Sequence, residues 1–350
     1  MKSEPGSAAH QEQPAKKSYR RIATEEAFAI PEQMDAMRAI VANNKNYDPD
    51  LFLWDRTLAG GTLYSRLLDV DDERLRIMDH DGVALHLLSL TSTGVQMLDA
   101  DKGTALATLA NDRLAETIRR HPGRYAGLAT VAPQDPVRAV REIERAIHTL
   151  KLNGVIINSH TNGEYLSEPK YWPILEAVAA LDVPLYIHPR APGPAMAAAY
   201  RADHLEHAIW GYQAETGLHA LRLIVSGVFD RIPNLKIILG HMGEALPYWL
   251  YRIDDRHHRA RNNQYRPSLK QRPSDYFKQN FKITTSGMNW HPVLQFCLAV
   301  LGPDNIMFAI DYPYQDSDEA VEFMNAAPIS EEDKEKIFHG NAERVFHIPA

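Results

Sequence analysis

Residues 125–160, YAGLATVAPQDPVRAVREIERAIHTLKLNGVIINSH, contain the unit that decides the fold. The runs YAGLATVAP (125–133) and GVIINSH (154–160) are almost continuously apolar, which is typical of strands buried on both faces of a parallel sheet. The segment between them, residues 135–154, opens with the helix-capping pair Asp135-Pro136 and ends at Gly154 just before the next run. Together they predict one strand–helix–strand unit.

The same alternation extends over the chain from Arg21 onward. Further apolar runs are RIATEEAF (21–28), VALHLLSLT (83–91), PLYIHP (184–189), LKIILGH (235–241), FKITTSG (281–287) and IMFAIDYP (306–313), and helical patterns cover residues 72–82 and 103–123. Eight buried strands that alternate with helices predict a (β/α)₈ TIM barrel. A doubly wound open sheet is the alternative. It would usually show a glycine-rich turn after the first strand, where this chain has Thr24-Glu25-Glu26.

Two long insertions, residues 30–65 and 190–234, follow the first and fifth strands. In a barrel both lie at the C-terminal face, over the mouth where active sites form. Aromatic side chains concentrate in these insertions, namely Tyr47, Phe52, Trp54, Tyr200, Trp210 and Tyr212. They are consistent with a pocket for a flat substrate and equally with a subunit interface.

The composition describes a globular protein with a mildly acidic surface. The 350 residues carry a formal net charge of −7 and a single cysteine, which argues against a general nucleic-acid or anionic-membrane partner and against an internal disulfide. Residues 1–18 contain no apolar signal-peptide core and are predicted to be a disordered tail. We expect residues 19–350 to form a single barrel domain in the cytoplasm.

Ionisable residues fall at the predicted ends of four different strands: Glu25, His188, His241 and Asp311. In a parallel barrel these ends converge on one rim. Burying several carboxylates and imidazoles together without a cation is costly. Because mixed oxygen and nitrogen ligands suit first-row divalent metals, the pattern predicts a mononuclear Zn²⁺ or Mn²⁺ site.

Short motifs around these residues resemble a known family. They are IATEEAFAIPE (22–32), YIHPR (186–190), ILGHMGEALPYWLYRID (238–254), ITTSG (283–287), AIDYPY (309–314) and GNAERVF (340–346). The chain resembles the amidohydrolase superfamily over residues 21–347, and within it the metal-dependent aromatic decarboxylases related to aminocarboxymuconate semialdehyde decarboxylase. It looks most similar to the 5-carboxyvanillate decarboxylases, and also similar to the γ-resorcylate and 2,3-dihydroxybenzoate decarboxylases. This resemblance implies the same (β/α)₈ fold.

The resemblance also implies roles for individual residues. Glu25, His188 and Asp311 match metal ligands, and His241 with Glu244 matches a pair beside the reacting ring that would form a proton relay with Asp311. Arg252 matches a residue suited to the substrate carboxylate, and Arg56 aligns loosely with a second arginine. Glu244 also has a structural interpretation, since it could cap the helix after the sixth strand. Tyr314 of AIDYPY is a further candidate for binding substrate, and packing is its alternative role.

The activity implied is metal-dependent, non-oxidative decarboxylation of an ortho-hydroxy aromatic acid, in which Asp311 protonates the ring carbon before CO₂ leaves. The alternative is a mononuclear hydrolase of a lactone, ester or amide on the same scaffold. Ala27 at the second position of the superfamily's His-x-His motif, and the lack of a lysine in Asn158-Ser159-His160, weigh against it. The expected partners are a small aromatic acid and a second copy of the chain, in a homodimer or homotetramer.

Overall fold

The computed structural model describes residues 19–43, 48–260 and 268–350, so the predicted tail and Tyr47 lie outside the described residues. Eight strands run through this part of the chain. They are β1 Ile22–Phe28, β2 Leu85–Leu90, β3 Tyr125–Thr130, β4 Gly154–Asn158, β5 Leu185–His188, β6 Ile237–Leu239, β7 Phe281–Thr284 and β8 Ile306–Met307. Each apolar run of the sequence analysis contains one of these strands.

The strands form a parallel sheet in the order β1 to β8, with each strand paired to its neighbour in sequence. The barrel closes between β1 and the chain that follows β8. The backbone N–H of Thr24 donates to the carbonyl oxygen of Phe308 at 3.1 Å, and that of Asp311 donates to the carbonyl oxygen of Glu25 at 3.0 Å. The (β/α)₈ prediction is confirmed.

Helices follow the strands and surround the barrel. In chain order they are α1 Pro31–Asn43, α2 Asp50–Leu58, α3 Thr62–Leu68, α4 Glu73–Asp81, α5 Ala100–Arg120, α6 Pro136–His148, α7 Trp172–Ala180, α8 Pro194–Ala197, α9 Gly211–Ser226, α10 Val228–Arg231, α11 His241–Glu244, α12 Leu246–Arg259, α13 Pro273–Asn280, α14 His291–Leu301, α15 Ser317–Asn325, α16 Glu331–Glu335 and α17 Asn341–Phe346. None of the described helices is long and apolar enough to cross a membrane.

The barrel interior is filled by inward-facing side chains of alternate strand positions, with α17 packed beneath them. Leu85 and Leu87 of β2, Ile156 of β4 and Met307 of β8 belong to one buried cluster that also includes Phe346 of α17. Each such side chain contributes about 1.5–3 kcal/mol by leaving water. Because α17 closes the N-terminal end, the opposite end of the barrel remains for the functional site.

Three predicted boundaries were wrong. Glu25 lies in the middle of β1, and a register shift between Ala23 and Glu26 interrupts the pairing with β2. Asp311 lies four residues beyond β8, in a segment joined to β1 by single backbone hydrogen bonds rather than a continuous ladder. The helix predicted over 135–154 ends at His148, although Asp135 caps it as expected by accepting from the N–H of Arg138.

The described residues of both insertions are mostly helical, and they lie beyond the C-terminal ends of their strands. The first contains α1 to α3, and its Trp54 is buried in a small separate core with Met34 and Met37. The second contains α8 to α10 and leaves the side chain of Trp210 49% exposed. The aromatic residues therefore divide between an internal core and the surface.

Candidate metal centre

Glu25, His188 and Asp311 meet at the C-terminal end of the barrel. One ligand atom from each side chain lies within 4.8 Å of the other two. Glu25 comes from the middle of β1, His188 ends β5, and Asp311 follows β8, so three separate strands position them. The structure thus brings together the three residues that were predicted as metal ligands.

The two carboxylate oxygens of Glu25 have different surroundings. Oε2 accepts hydrogen bonds from the hydroxyl groups of Tyr186, Ser286 and Thr284, the last at 3.0 Å. Oε1 is buried, has no hydrogen-bond partner, and lies 3.5 Å from Nε2 of His188. A buried anionic oxygen without a partner is costly, and a cation would compensate it.

The imidazole of His188 is oriented by the backbone carbonyl of the next residue, Pro189. Nδ1 lies 2.8 Å from the carbonyl oxygen of Pro189, which only a protonated Nδ1 can satisfy. Nε2 is then the nitrogen with the free lone pair, and it is the one directed at Glu25. A neutral imidazole held by such a bond is the usual form of a metal-binding histidine. The donor set fits a divalent cation.

Burial opposes the charged form of Glu25, but His241, His188 and the hydroxyl groups of Ser286 and Tyr186 outweigh it and lower the pKa of this carboxyl group. At Asp311 the balance is reversed. Burial and the negative charge of Glu25 raise its pKa, although His241 and His188 oppose that change. The site therefore combines one carboxylate that favours ionisation with one that retains its proton more readily.

His241 and Glu244 lie on α11, a single turn of unusual hand. The φ angles from His241 to Ala245 lie between 48° and 79°, in the left-handed region. A Cβ at Gly240 would stand 2.7 Å from Oε2 of Glu25, so glycine is required where this turn crosses the carboxylate. The turn places the imidazole of His241 beside the candidate metal ligands.

His241 connects two carboxyl groups. Its Nδ1 lies 2.9 Å from Oε1 of Glu244, and its Nε2 lies 3.7 Å from Oδ2 of Asp311. Burial alone would favour neutral imidazole, but Glu244, Glu25 and Asp311 raise the pKa of His241 well above its ordinary value. Burial also raises the pKa of Glu244. This arrangement can hold a proton at Nε2 next to Asp311.

The predicted substrate-binding residues are distributed more widely. The hydroxyl group of Tyr314 forms a hydrogen bond with the hydroxyl group of Thr91 at 2.6 Å. The backbone N–H of Tyr314 donates to the carbonyl oxygen of Asp311 at 2.8 Å, so Tyr314 lies beside the candidate centre. Arg252 is exposed on α12 and lines a groove that Glu244 also lines. Arg56 is exposed on α2. Within residues 19–43, 48–260 and 268–350, no hydrogen bond or ion pair joins either arginine to the carboxylates.

Sequence reasoning missed several residues around the centre. Tyr186, which holds Oε2 of Glu25, lies inside the apolar run of β5 and gives no polar signal at the strand end. Asp50 of α2 forms a buried ion pair with Arg190, and its other oxygen accepts from the N–H of Ala191 at 3.0 Å. This pair ties the first insertion to the loop after His188, but 140 residues separate its members.

The chain is similar to known proteins over most of its length. Residues 74–348 match the family model described as amidohydrolase. The γ-resorcylate decarboxylase of Polaromonas sp. strain JS666 is 39% identical over 336 residues, which cover 94% of this chain and 98% of that protein.

Solved structures are similar over nearly the whole chain. The 5-carboxyvanillate decarboxylase from Sphingomonas paucimobilis is 49% identical with a TM-score of 0.93, covering 95% of this chain and 100% of that one. The 5-carboxyvanillate decarboxylase from Novosphingobium aromaticivorans, complexed with manganese and 4-hydroxy-3-methoxy-5-nitrobenzoic acid, is 42% identical with a TM-score of 0.91, covering 94% and 96%. With its barrel, its carboxylate–imidazole centre and these relatives, the chain belongs to the amidohydrolase family.

Proposed function

We propose that the protein is a metal-dependent carboxy-lyase that decarboxylates an ortho-hydroxy aromatic acid of the 5-carboxyvanillate or γ-resorcylate type. The observation that carries the proposal is the unpartnered Oε1 of Glu25, held beside Nε2 of His188 and next to an Asp311 that contacts a second imidazole. The relatives named as decarboxylases of these two acids, and the manganese in one of their structures, support it.

Glu25, His188 and Asp311 are the residues that would hold the cation, with Mn²⁺ favoured by the relatives and Zn²⁺ by ligand type. When bound, a single divalent ion supplies Lewis-acid stabilisation of the phenolate and orients the acid. The three hydroxyl groups on Oε2 of Glu25 fix the rotamer of that carboxylate so that Oε1 faces the site.

Asp311 is the proposed proton donor. Its carboxyl proton passes to the ring carbon that carries the carboxylate, the bond between that carbon and the carboxylate breaks, and its electron pair returns to the ring as CO₂ leaves. Burial and Glu25 raise the pKa of Asp311, which favours the protonated form that this step requires. A positioned acid of this kind is worth about 10²–10⁴-fold in rate.

The transferred proton stays on the product ring, so Asp311 must take up a new proton from solvent in each turnover, and His241 with Glu244 is the proposed route for it. Nε2 of His241 faces Oδ2 of Asp311, so the imidazole can reprotonate Asp311 after each turnover, and Glu244 holds the opposite nitrogen. Tyr314, beside Asp311, is the proposed contact to a ring substituent. Arg252 and Arg56 are the proposed partners of the substrate carboxylate, because a guanidinium group matches a carboxylate geometrically.

A panel assay tests this function. Metal-replete protein is incubated with 5-carboxyvanillate, γ-resorcylate, 2,3-dihydroxybenzoate and salicylate, and products are identified by mass spectrometry. We expect CO₂ release from at least one of the first two acids, loss of activity on chelation, and recovery with Mn²⁺. Hydrolysis of an aryl ester or lactone with no decarboxylation of any acid would favour the hydrolase alternative and contradict the proposal.

The proposal includes the setting of the enzyme. Residues 19–350 would form one domain of a cytoplasmic homodimer or homotetramer that binds neither nucleic acid nor membrane. Exposed aromatic side chains near the groove of Arg252 support self-association, among them Trp210, Trp249 and the 71% exposed Tyr248. Light scattering coupled to size exclusion measures the mass directly, and a monomer at micromolar concentration would contradict this part of the proposal.

A further inference from the structure

Three consecutive peptide groups around Asp311 bind to Glu25 and Glu26. The N–H of Ile310 donates to Oε1 of Glu26 at 3.0 Å, and the N–H of Tyr312 donates to Oε2 of Glu26 at 3.1 Å. Between them, the N–H of Asp311 donates to the backbone carbonyl oxygen of Glu25 at 3.0 Å. The side chain of Glu26 therefore spans Asp311 and contacts the peptide groups on both sides of it.

The backbone that Glu26 spans has an unfavourable conformation. Asp311 has a φ of 75°, in the left-handed region that non-glycine residues adopt only when the surrounding structure enforces it. A left-handed residue turns the neighbouring N–H groups toward a common side, where they form a concave site for an anionic oxygen pair. The carboxyl group of Glu26 occupies that site, and it is fully buried.

The left-handed φ angle of Asp311 determines the direction in which its carboxyl group points. Rotation of φ toward the ordinary negative range would turn its carboxyl group away from Glu25, His188 and His241. It would also separate the N–H groups of Ile310 and Tyr312 from the two oxygens of Glu26. The same contacts thus determine both the backbone conformation and the position of the proposed proton donor and metal ligand.

We propose that Glu26 is a positioning residue, which holds Asp311 in the geometry that metal binding and proton transfer require. The inference rests on the proposed function, because it assigns Glu26 a part in placing the proton donor. The two carboxylate oxygens of Glu26 accept from backbone N–H groups, and Glu26 is not one of the three candidate metal ligands. In this proposal Glu25 binds the cation directly, and the adjacent Glu26 fixes the backbone of Asp311, the ligand on the other side of the barrel closure.

The variant Glu26→Gln tests this role with little change in volume. A glutamine amide has one oxygen and one NH₂ group, so one of the two backbone N–H groups would face another donor. The matched control is Glu142→Gln on α6, a buried glutamate that accepts hydrogen bonds from Asn111, Thr108 and the guanidinium group of Arg145. Both variants remove one carboxylate from a buried hydrogen-bonded position, but only the first lies beside Asp311.

Mn²⁺ affinity is measured by calorimetric titration of chelated protein, with thermal unfolding recorded on the same samples. We expect Glu26→Gln to weaken Mn²⁺ binding about 10–100-fold, the usual effect of removing a group that orients a ligand. We expect kcat to fall by a similar factor, while Glu142→Gln keeps wild-type affinity and kcat. Unchanged Mn²⁺ affinity in folded Glu26→Gln would overturn the proposal.

Two further measurements cover a variant that fails to fold. Glu26→Asp keeps the acid but is one methylene shorter and cannot reach both N–H groups, so it should also weaken Mn²⁺ binding. Hydrogen exchange of wild-type peptides covering residues 306–314 should show protected amides at Ile310 and Tyr312, and rapid exchange there would overturn the proposal. If wild-type protein decarboxylates none of the acids, the proposed function fails, yet the affinity ratio still decides the role of Glu26.

Discussion

The hydroxyl groups around Glu25 give the sharpest prediction about the metal centre. Tyr186, Ser286 and Thr284 all donate to Oε2, and the ring of Tyr186 is fully buried in the barrel interior. Tyr186→Phe removes one donor without changing the volume of the ring. Because the hydroxyl groups of Ser286 and Thr284 remain, the orientation of the carboxylate should be weakened but not lost.

The magnitude follows from the hydrogen bond that is lost. A hydrogen bond to a charged group contributes about 1.5–3 kcal/mol. Because two donors remain on the same oxygen, we take the lower end, which corresponds to about a tenfold weaker Mn²⁺ complex at 1.4 kcal/mol per factor of ten. We expect the effect to appear as weaker Mn²⁺ binding, because the carboxylate of Glu25, with one donor fewer on Oε2, holds Oε1 toward the cation less firmly.

The control has the same chemistry elsewhere. Tyr276 on α13 is also buried, and its hydroxyl group donates to the carboxylate of Asp230, remote from the ligands. Calorimetric Mn²⁺ titration compares Tyr186→Phe, Tyr276→Phe and wild type at one pH. We expect weaker Mn²⁺ binding in Tyr186→Phe alone. Equal Mn²⁺ affinity in all three proteins would show that the hydroxyl groups do not orient the ligand and would refute this expectation.

Three other substitutions probe the proton donor, a buried acid and the first insertion. Asp311→Asn should lower kcat by about 10²–10⁴-fold at saturating Mn²⁺, and near-wild-type turnover would exclude Asp311 as the acid. Burial raises the pKa of Glu215 from its ordinary 4.5 to about 7. The folded protein therefore binds the extra proton, and stability should fall by about 3 kcal/mol as pH rises through that interval. Urea unfolding of Glu215→Gln should lack this loss, and identical pH dependence in both proteins would contradict the assignment. Asp50→Asn leaves Arg190 buried without its counter-charge and should cost about 3–5 kcal/mol in urea unfolding, whereas a cost below about 1 kcal/mol would mean that water replaces the pair.

The repeating strand–helix units of the barrel could be predicted from the sequence alone. Buried strands at regular intervals predicted the barrel. Placing Glu25, His188 and Asp311 at strand ends on one rim predicted their convergence, although Glu25 lies in the middle of β1 and Asp311 lies beyond β8. The roles that the family resemblance added to these residues remain proposals.

The remaining features depend on contacts that a linear pattern does not contain. The left-handed turn from His241 to Ala245 includes only one glycine, so its hand could not be inferred from composition. The Asp50–Arg190 pair joins residues far apart in the chain. Nothing in the linear sequence gives Glu26 a role beside its neighbour Glu25, and its contacts with the peptide groups of Ile310 and Tyr312 became visible only in the folded chain.

A stoichiometric titration with Mn²⁺ tests most directly whether the protein decarboxylates its substrate with a metal ion held by Glu25, His188 and Asp311. Protein freed of metal by chelation is titrated with Mn²⁺ while CO₂ release from 5-carboxyvanillate or γ-resorcylate is followed. We expect no activity without metal and a linear rise in the rate of CO₂ release that reaches its plateau at one Mn²⁺ per chain. Full activity in the chelated protein, or no CO₂ release at any Mn²⁺ concentration, would contradict metal-dependent decarboxylation at this centre.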